Sequence, residues 1–370
     1  MILNPTDRVY LQPDCFVERP HDLDGRVARV GQSMLWFTAW RVIWRGAAGG
    51  KRTGEALVPV EAIDSWLASQ SDPVREHSAR QIANVSAPRT PLTLGERTIR
   101  LDEPRVIGIL NFTPDSFSDG GRFNNDAQAA AEAGFEMAQA GAAIVDIGGE
   151  STRPGAKLVW EGDEIGRVVS VIEKIARGGT AVSIDTRKAG VMEAALAAGA
   201  TLVNDISALL YDDRALEVVT KADCPVVLMH APSQSSDPHA DAIYDDVLLD
   251  VFDWLDARIE AVVAAGVDRS RIIVDPGIGF GKSVQQNLAL TNGLALLHAL
   301  GCPILYGASR KRMIGAIDNE APADARLGGS IALHLTAVQA GVQLIRAHDV
   351  GETVQALKTW RALRDAALVG

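Results

Sequence analysis

From about residue 100 onward, short runs of Val, Ile and Leu alternate with longer stretches whose apolar residues recur at i, i+3, i+4 and i+7. The short runs are RVIGILN (105–111), AAIVDIG (142–148), AVSID (181–185), LVNDI (202–206), PVVLMH (225–230), RIIVD (271–275), PILYGAS (303–309) and QLIRAH (343–348). Each is almost continuously apolar, as strands covered on both faces of a parallel sheet are. Between them, stretches such as DAQAAAEAGFEMAQAGA and DVLLDVFDWLDARIEAVVAAG read as helices. Several end at a glycine (Gly141, Gly199, Gly266, Gly301, Gly341), where a left-handed cap favours that residue. Eight strand–helix units in about 260 residues predict a closed (β/α)8 TIM barrel over residues 96–370.

Residues 1–95 break the rhythm and are expected to form an additional small N-terminal domain of unknown role. Four of the seven tryptophans lie there: Trp36, Trp40, Trp44 and Trp66. The run SMLWFTAWRVIWR fits a strand leading through GAAGGKRTGE to ALVPV, yet Trp36, Trp40 and Trp44 also fit one helical face. VEAIDSWLAS reads as a short helix, and SAPRTPLTLGER as a proline-containing linker into the barrel.

Composition narrows the functional classes. Hydrophobic residues make up 47% of the chain and charged ones 22%, enough for a large core. The net charge is −11, with no long basic run, which argues against binding nucleic acid or an anionic membrane. No segment approaches 18 uninterrupted apolar residues, and the start MILNPTDRVYLQP lacks a signal-peptide pattern, so a cytoplasmic protein is expected. The three cysteines (Cys15, Cys224, Cys302) are odd in number and far apart. They suit a reduced compartment better than a disulfide framework or zinc site. Cys224 and Cys302 each precede a proline at the start of an apolar run and read as small buried hydrophobes.

The strand ends carry the chemistry. Each predicted strand finishes at or beside Asn111, Asp146, Asp185, Asp205, His230, Asp275, Ser309 or His348. One acid after one strand is an ordinary helix cap. Eight polar ends on a closed barrel would converge on one mouth, where barrel enzymes keep their sites.

The stretch VDPGIGFGKS (274–283) poses a specific question, because Gly281-Lys282-Ser283 resembles the close of a nucleotide-binding loop. Such a loop needs a glycine five positions before Gly281, where this chain has Pro276. Proline has no N–H for a phosphate, and Asp275 would repel one. Asp185, Asn204 and Asp275 instead offer acceptors for the N–H edge of a flat heterocycle such as a pterin or guanine, with Lys311 as donor to its carbonyl. Arg346 and His348, just before the last helix, put two donors near a helix N-terminus, where an anion is favoured. NFTPDSFSDGG (111–121) and GGESTRPGA (148–156) are polar, glycine-containing loops able to close over a reaction.

Seven motifs then occur in a familiar order: GILNFTPDSFSDGG, DIGGESTRPGA, SIDT, NDIS, VDPGIGFGK, GASRKR and IRAHDV. Over roughly residues 92–366 the chain resembles the dihydropteroate synthase family of folate biosynthesis. That family is a (β/α)8 barrel, usually a homodimer. It condenses 6-hydroxymethyl-7,8-dihydropterin diphosphate with p-aminobenzoate, using Mg²⁺. The resemblance implies that Asp185, Asn204, Asp275 and Lys311 bind the pterin, with Met229 as an apolar wall. It implies Asn111 as the Mg²⁺ ligand and Arg346 with His348 as diphosphate anchors. Thr152, Arg153 and Pro154, with Phe117 and Asp119, would close over the aminobenzoate site. Ser309, at the opening of the seventh helix, would contact the aminobenzoate carboxylate, and Phe280 its ring. Asp185, Lys311, Asp119 and Arg153 are the expected catalytic groups.

The sequence departs from the family pattern after the fifth strand, where a Met-His-Met-Gln-Gly type run is replaced by MHAPSQSSDPHAD. Phe112 also stands where valine is usual. Two other readings are a pterin-binding methyltransferase module and a non-catalytic pterin-binding paralogue. The first would need neither STRPG nor Ser309, and the intact reactive residues speak against the second.

Overall fold

The computed structural model describes residues 1–113, 126–152, 155–232, 237–240 and 242–369. Eight parallel strands form the central sheet: β7 (Arg105–Asn111), β8 (Ile144–Gly148), β9 (Val182–Asp185), β10 (Leu202–Asp205), β11 (Val226–Met229), β12 (Ile272–Asp275), β13 (Leu305–Tyr306) and β14 (Leu344–Ala347). They run in the order β12-β11-β10-β9-β8-β7-β14-β13, and a bridge between Val274 and Ile304 brings the two ends together. The result is a nearly closed TIM barrel. Outside it lie α3 (Ala127–Gln139), α4 (Glu161–Arg177), α5 (Ala189–Ala197), α6 (Ala215–Ala222), α7 (Val247–Ala264), α8 (Val284–Asn292), α9 (Arg312–Ile317), α10 (Leu327–Gln339) and α11 (Val350–Val369).

Strand side chains alternate between two faces, and the buried apolar residues sort accordingly. Val145, Ile147, Val182, Ile184, Val203 and Val274 belong to the large cluster shared with the helices. Ile107, Ile144, Ala181, Leu202, Val227, Ile273, Leu305 and Leu344, one contributed at each strand, form a separate cluster inside the barrel. That inner layer is closed from below by Leu92, Leu94, Ile99 and Leu101. The segment expected to be a linker is therefore in part a hairpin, β5 (Leu92–Leu94) with β6 (Arg97–Ile99). Its apolar side chains supply the barrel floor, a role invisible in the local sequence because it depends on eight distant strands.

Before the hairpin, β1 (Arg8–Val17), β2 (Ala28–Arg29), β3 (Trp36–Arg45) and β4 (Gly54–Pro59) make an antiparallel sheet with β3 in the middle. The tryptophan-rich run is thus a strand. Its register with β1 extends from Arg8 opposite Arg45 to Val17 opposite Trp36. Its helical period was ambiguous because a strand covered by neighbours on both sides carries apolar residues on both faces. Trp40 is buried and meets Phe37 edge-on at 4.8 Å. Then come α1 (Ile63–Ala68), as the sequence suggests, and α2 (Asp72–Ser86), whose few apolar positions (Val74, Ile82, Val85) gave little period to read.

This sheet is tied to the barrel through α7. Arg45, almost wholly buried, reaches Asp250 Oδ1 at 2.5 Å and Asp253 Oδ2 at 2.9 Å. Arg52 Nε lies 3.1 Å from Asp246 Oδ2, the residue that also caps the first turn of α7. Among the described residues no helix is long and apolar enough to cross a membrane.

Candidate active site

The floor residues set the phase of everything above them. With a period of two, Ile107 puts Asn111 on the inner face, Ile144 puts Asp146 there, Ala181 puts Asp185, and Leu202 puts Asn204. Likewise Val227 projects Met229 inward, Ile273 projects Asp275, and Leu344 projects Arg346. By the same count Asp205 and His230 point away from the barrel interior, so not all eight polar strand ends converge. Asp205 accepts hydrogen bonds from Ser207 N (2.6 Å), Ser207 Oγ (2.6 Å) and Leu209 N (2.9 Å), a turn-capping role. His230 packs edge-on against Trp254 of α7 at 5.0 Å, and burial lowers its pKa well below the usual value.

Arg346 organises one side of the mouth. Its Nε donates to Asp146 Oδ2 and its Nη2 to Asp185 Oδ2, both at 2.6 Å, and Asn204 Nδ2 donates to Asp146 Oδ2 at 3.0 Å. Four residues from four strands (β8, β9, β10 and β14) are thereby locked together. Burial raises the Asp185 pKa against the pull of Arg346, and Asp146 adds like-charge repulsion. Burial alone would lower the Arg346 pKa, but Asp146 and Asp185 outweigh it and raise it, so the guanidinium stays charged. Arg346 lies on β14, within the run QLIRAH, and its guanidinium is held by the two carboxylates. Asp146 is among the polar strand ends expected at the mouth, but the motifs give it no role of its own; here it accepts from both Arg346 and Asn204.

Asp275 faces this cluster from β12. Its Oδ1 accepts from Gly277 N at 2.7 Å, and burial raises its pKa while Lys311 pulls it down. Lys311 donates to the Ile278 carbonyl, and its Nζ sits 4.4 Å from the centre of the Phe280 ring. Phe280 joins Ile206, Met229 and Ala231 in a compact apolar patch beside the acids. The glycines of VDPGIGFGKS now have a reason. Gly277 has φ +69°, and a Cβ there would collide with the His230 carbonyl. Lys282 fastens this loop from within: its Nζ reaches the carbonyls of Gly277 (2.8 Å), Phe280 (3.2 Å) and His230 (3.4 Å). Burial lowers it to about 7, with Asp275 opposing. The lysine holds backbone, not phosphate.

The last two loops are joined to each other. Ser309 Oγ accepts from His348 N at 3.1 Å and lies 3.2 Å from His348 Nδ1. Arg310 pairs with Asp349 through Nε at 3.0 Å and through a second contact from Nη2. Ser309 does not open a helix, since α9 begins at Arg312. In the loop after β8, the Thr152 carbonyl accepts a hydrogen bond at 2.7 Å from His239 Nε2. Phe117, Asp119, Arg153 and Pro154 lie outside the described residues.

Asn111 is paired in register with Gly148, which is paired with Asp185. A methyl group on Gly148 would lie 3.7 Å from Asn111 Oδ1 and 3.8 Å from Asp185 Oδ2, so both oxygens border one notch. Such hard oxygen donors fit Mg²⁺, which fills its remaining positions with water or phosphate oxygens. Among the described residues no group of three or more His, Cys, Asp or Glu side chains is placed to hold a metal. A magnesium ion here would bring most of its ligands with it.

Acceptors, an ammonium and an apolar wall at one end of a parallel barrel suit the chemistry of a flat, hydrogen-bonding heterocycle. Residues 107–348 match the family described as pterin binding enzyme. The chain is 43% identical over 272 residues to a dihydropteroate synthase of Neisseria meningitidis serogroup C, an alignment covering 73% of this chain and 96% of the relative. The Xanthomonas albilineans dihydropteroate synthase solved with 4-aminobenzoic acid is 45% identical, with a TM-score of 0.69 over 75% of this chain and 98% of that one. The same enzyme solved with 7,8-dihydropteroate gives 43% identity and a TM-score of 0.67, over 74% and 98% of the two chains. The chain belongs to the pterin-binding enzymes and, within them, to the dihydropteroate synthase family.

Proposed function

We propose that the protein condenses 6-hydroxymethyl-7,8-dihydropterin diphosphate with p-aminobenzoate, giving 7,8-dihydropteroate and diphosphate. The observation that carries this reading is the meeting of Asp185, Asn204, Asp275, Lys311 and Arg346 at one barrel mouth. The two acids and the amide accept from the amidine-like edge of the pterin, Lys311 donates to its carbonyl, and Met229 covers the ring. Asp185 also stabilises the ring cation that develops as the exocyclic carbon–oxygen bond breaks.

The leaving diphosphate falls near His348, one residue before the Asp349-Val350 start of α11, where a 20-residue helix presents its positive end. Asn111, with phosphate oxygens and water, would hold Mg²⁺, which supplies charge neutralisation for the leaving group. The amine of p-aminobenzoate, lying by Thr152, Phe280 and Ser309, forms the new carbon–nitrogen bond and gives up a proton. Phe117, Asp119, Arg153 and Pro154 take their expected closing roles from the family resemblance. Mixing the protein with both substrates and Mg²⁺ is expected to release diphosphate only when p-aminobenzoate is present. Release without it, or none at all, would remove the reading.

Lys311 gives the reaction a basic limit. Burial lowers its pKa to about 8, an effect that Asp275 partly offsets. A lysine is cationic below its pKa, so kcat/KM for the pterin substrate should have a basic limb that begins near pH 8. It lies above an acid limb set by Asp185, whose pKa burial raises to about 7. Along the basic limb the value should fall up to tenfold per unit, because kcat/KM reports groups of the free enzyme. Lys311→Arg should move this limb beyond pH 10. A wild-type profile that stays level from about pH 8 to that pH would contradict the role.

A further inference from the structure

The replaced loop after β11 carries a contact that no motif predicted. His239 stacks on Phe280 with ring centres 4.8 Å apart and planes within 12° of parallel. Its Nε2 lies 2.7 Å from the Thr152 carbonyl oxygen. A carbonyl only accepts, so Nε2 carries the proton and donates it. One imidazole thus joins three loops: the one after β8 through Thr152, the one after β12 through Phe280, and its own.

The approach is built into the backbone. Gly281, with φ +55°, lies directly against this loop. A Cβ there would run into Pro232 and the Ala240 carbonyl. Phe280, in turn, is buried against Met229, Ile206 and Ala231 and faces the Lys311 ammonium. The imidazole is therefore the outermost member of a packed series that begins at the pterin pocket.

We infer that His239 is a positioning and specificity residue for the aromatic amine. It sets the gap between the Thr152 segment and the Phe280 ring, and so the width of the slot that admits a flat aryl group. This rests on the assignment of Thr152 and Phe280 to the amine subsite made above. Removing the imidazole frees the Thr152 carbonyl and uncovers one side of Phe280. The slot then loses its fixed width, while Asp185, Asn204, Asp275 and Lys311 keep theirs.

The test uses the full chain and steady-state kinetics with both substrates. His239→Ala should raise KM for p-aminobenzoate about tenfold, the effect of one lost ring stack with one hydrogen bond. KM for the dihydropterin diphosphate should stay within about twofold. The thermal unfolding midpoint should stay within about 2 °C, as for a partly exposed loop residue. His239→Phe, which keeps the ring, and His239→Gln, which keeps a donor, should each recover part of the loss. An amine KM that is unchanged or lowered in His239→Ala overturns the inference, as does a parallel rise in both KM values. If wild-type protein makes no dihydropteroate, it is the activity itself that fails, and the inference with it. If wild type turns over and the variants match it, only the role of His239 is lost.

Discussion

Asp185→Ala is expected to lower kcat/KM for the pterin substrate by about three orders of magnitude, close to 4 kcal/mol of transition-state stabilisation. Two effects add. The carboxylate proposed to face the developing ring cation is lost, and Arg346 loses its 2.6 Å partner on that side. The guanidinium then leans on Asp146 alone and brings an uncompensated positive charge toward the same cation. Asp185→Asn keeps an oxygen for the ring but lacks the charge, so its loss should be smaller, about a hundredfold. Steady-state assays with p-aminobenzoate saturating would measure both. An alanine variant within threefold of wild type in turnover and pterin affinity would mean that Asp185 is a structural partner of Arg346 and nothing more.

Arg45→Ala should cost about 2–4 kcal/mol of folding stability, read as a lower midpoint in urea unfolding. The side chain is almost wholly buried and binds Asp250, Asp253, the Tyr10 hydroxyl (2.8 Å) and the Gly50 carbonyl (2.9 Å). Burial by itself would lower its pKa. The hydrogen bonds it donates to Asp250 and Asp253 reverse that and raise it, so the charge is retained. Deleting it leaves both acids of α7 without this cation, and Arg8 stays bound to Asp253 at 2.5 Å. Those acids are about one-quarter exposed, and water softens the loss, which keeps the figure below that for a fully dry pair. A loss below 1 kcal/mol would show that the N-terminal sheet and α7 hold together by apolar packing alone.

The eight barrel strands are plain in the sequence because strands covered on both faces must be apolar nearly throughout, and glycine caps separate them from the helices. The polar groups proposed to hold the pterin are legible for a related reason: Asp185, Asn204 and Asp275 each stand at or beside the end of an apolar run. The N-terminal tryptophans were ambiguous because an inner strand and a wholly buried helix can share the same apolar spacing over ten residues. The β5–β6 hairpin read as a linker, since three-residue strands carry too little pattern to recognise.

What the chain determined by itself is therefore the alternation of strand and helix, the polar residue at each strand end and the order of the loops. Direction was left to the tertiary structure. A one-residue difference in phase sends Asn204 into the barrel and Asp205 out of it, and only the floor formed by the hairpin and the eight inner residues settles that phase. The pairing of Arg346 with Asp146 and Asp185, and of His239 with Thr152 and Phe280, joins positions scores of residues apart. No local pattern encodes such contacts, because they exist only once the sheet has curved until its two edges meet.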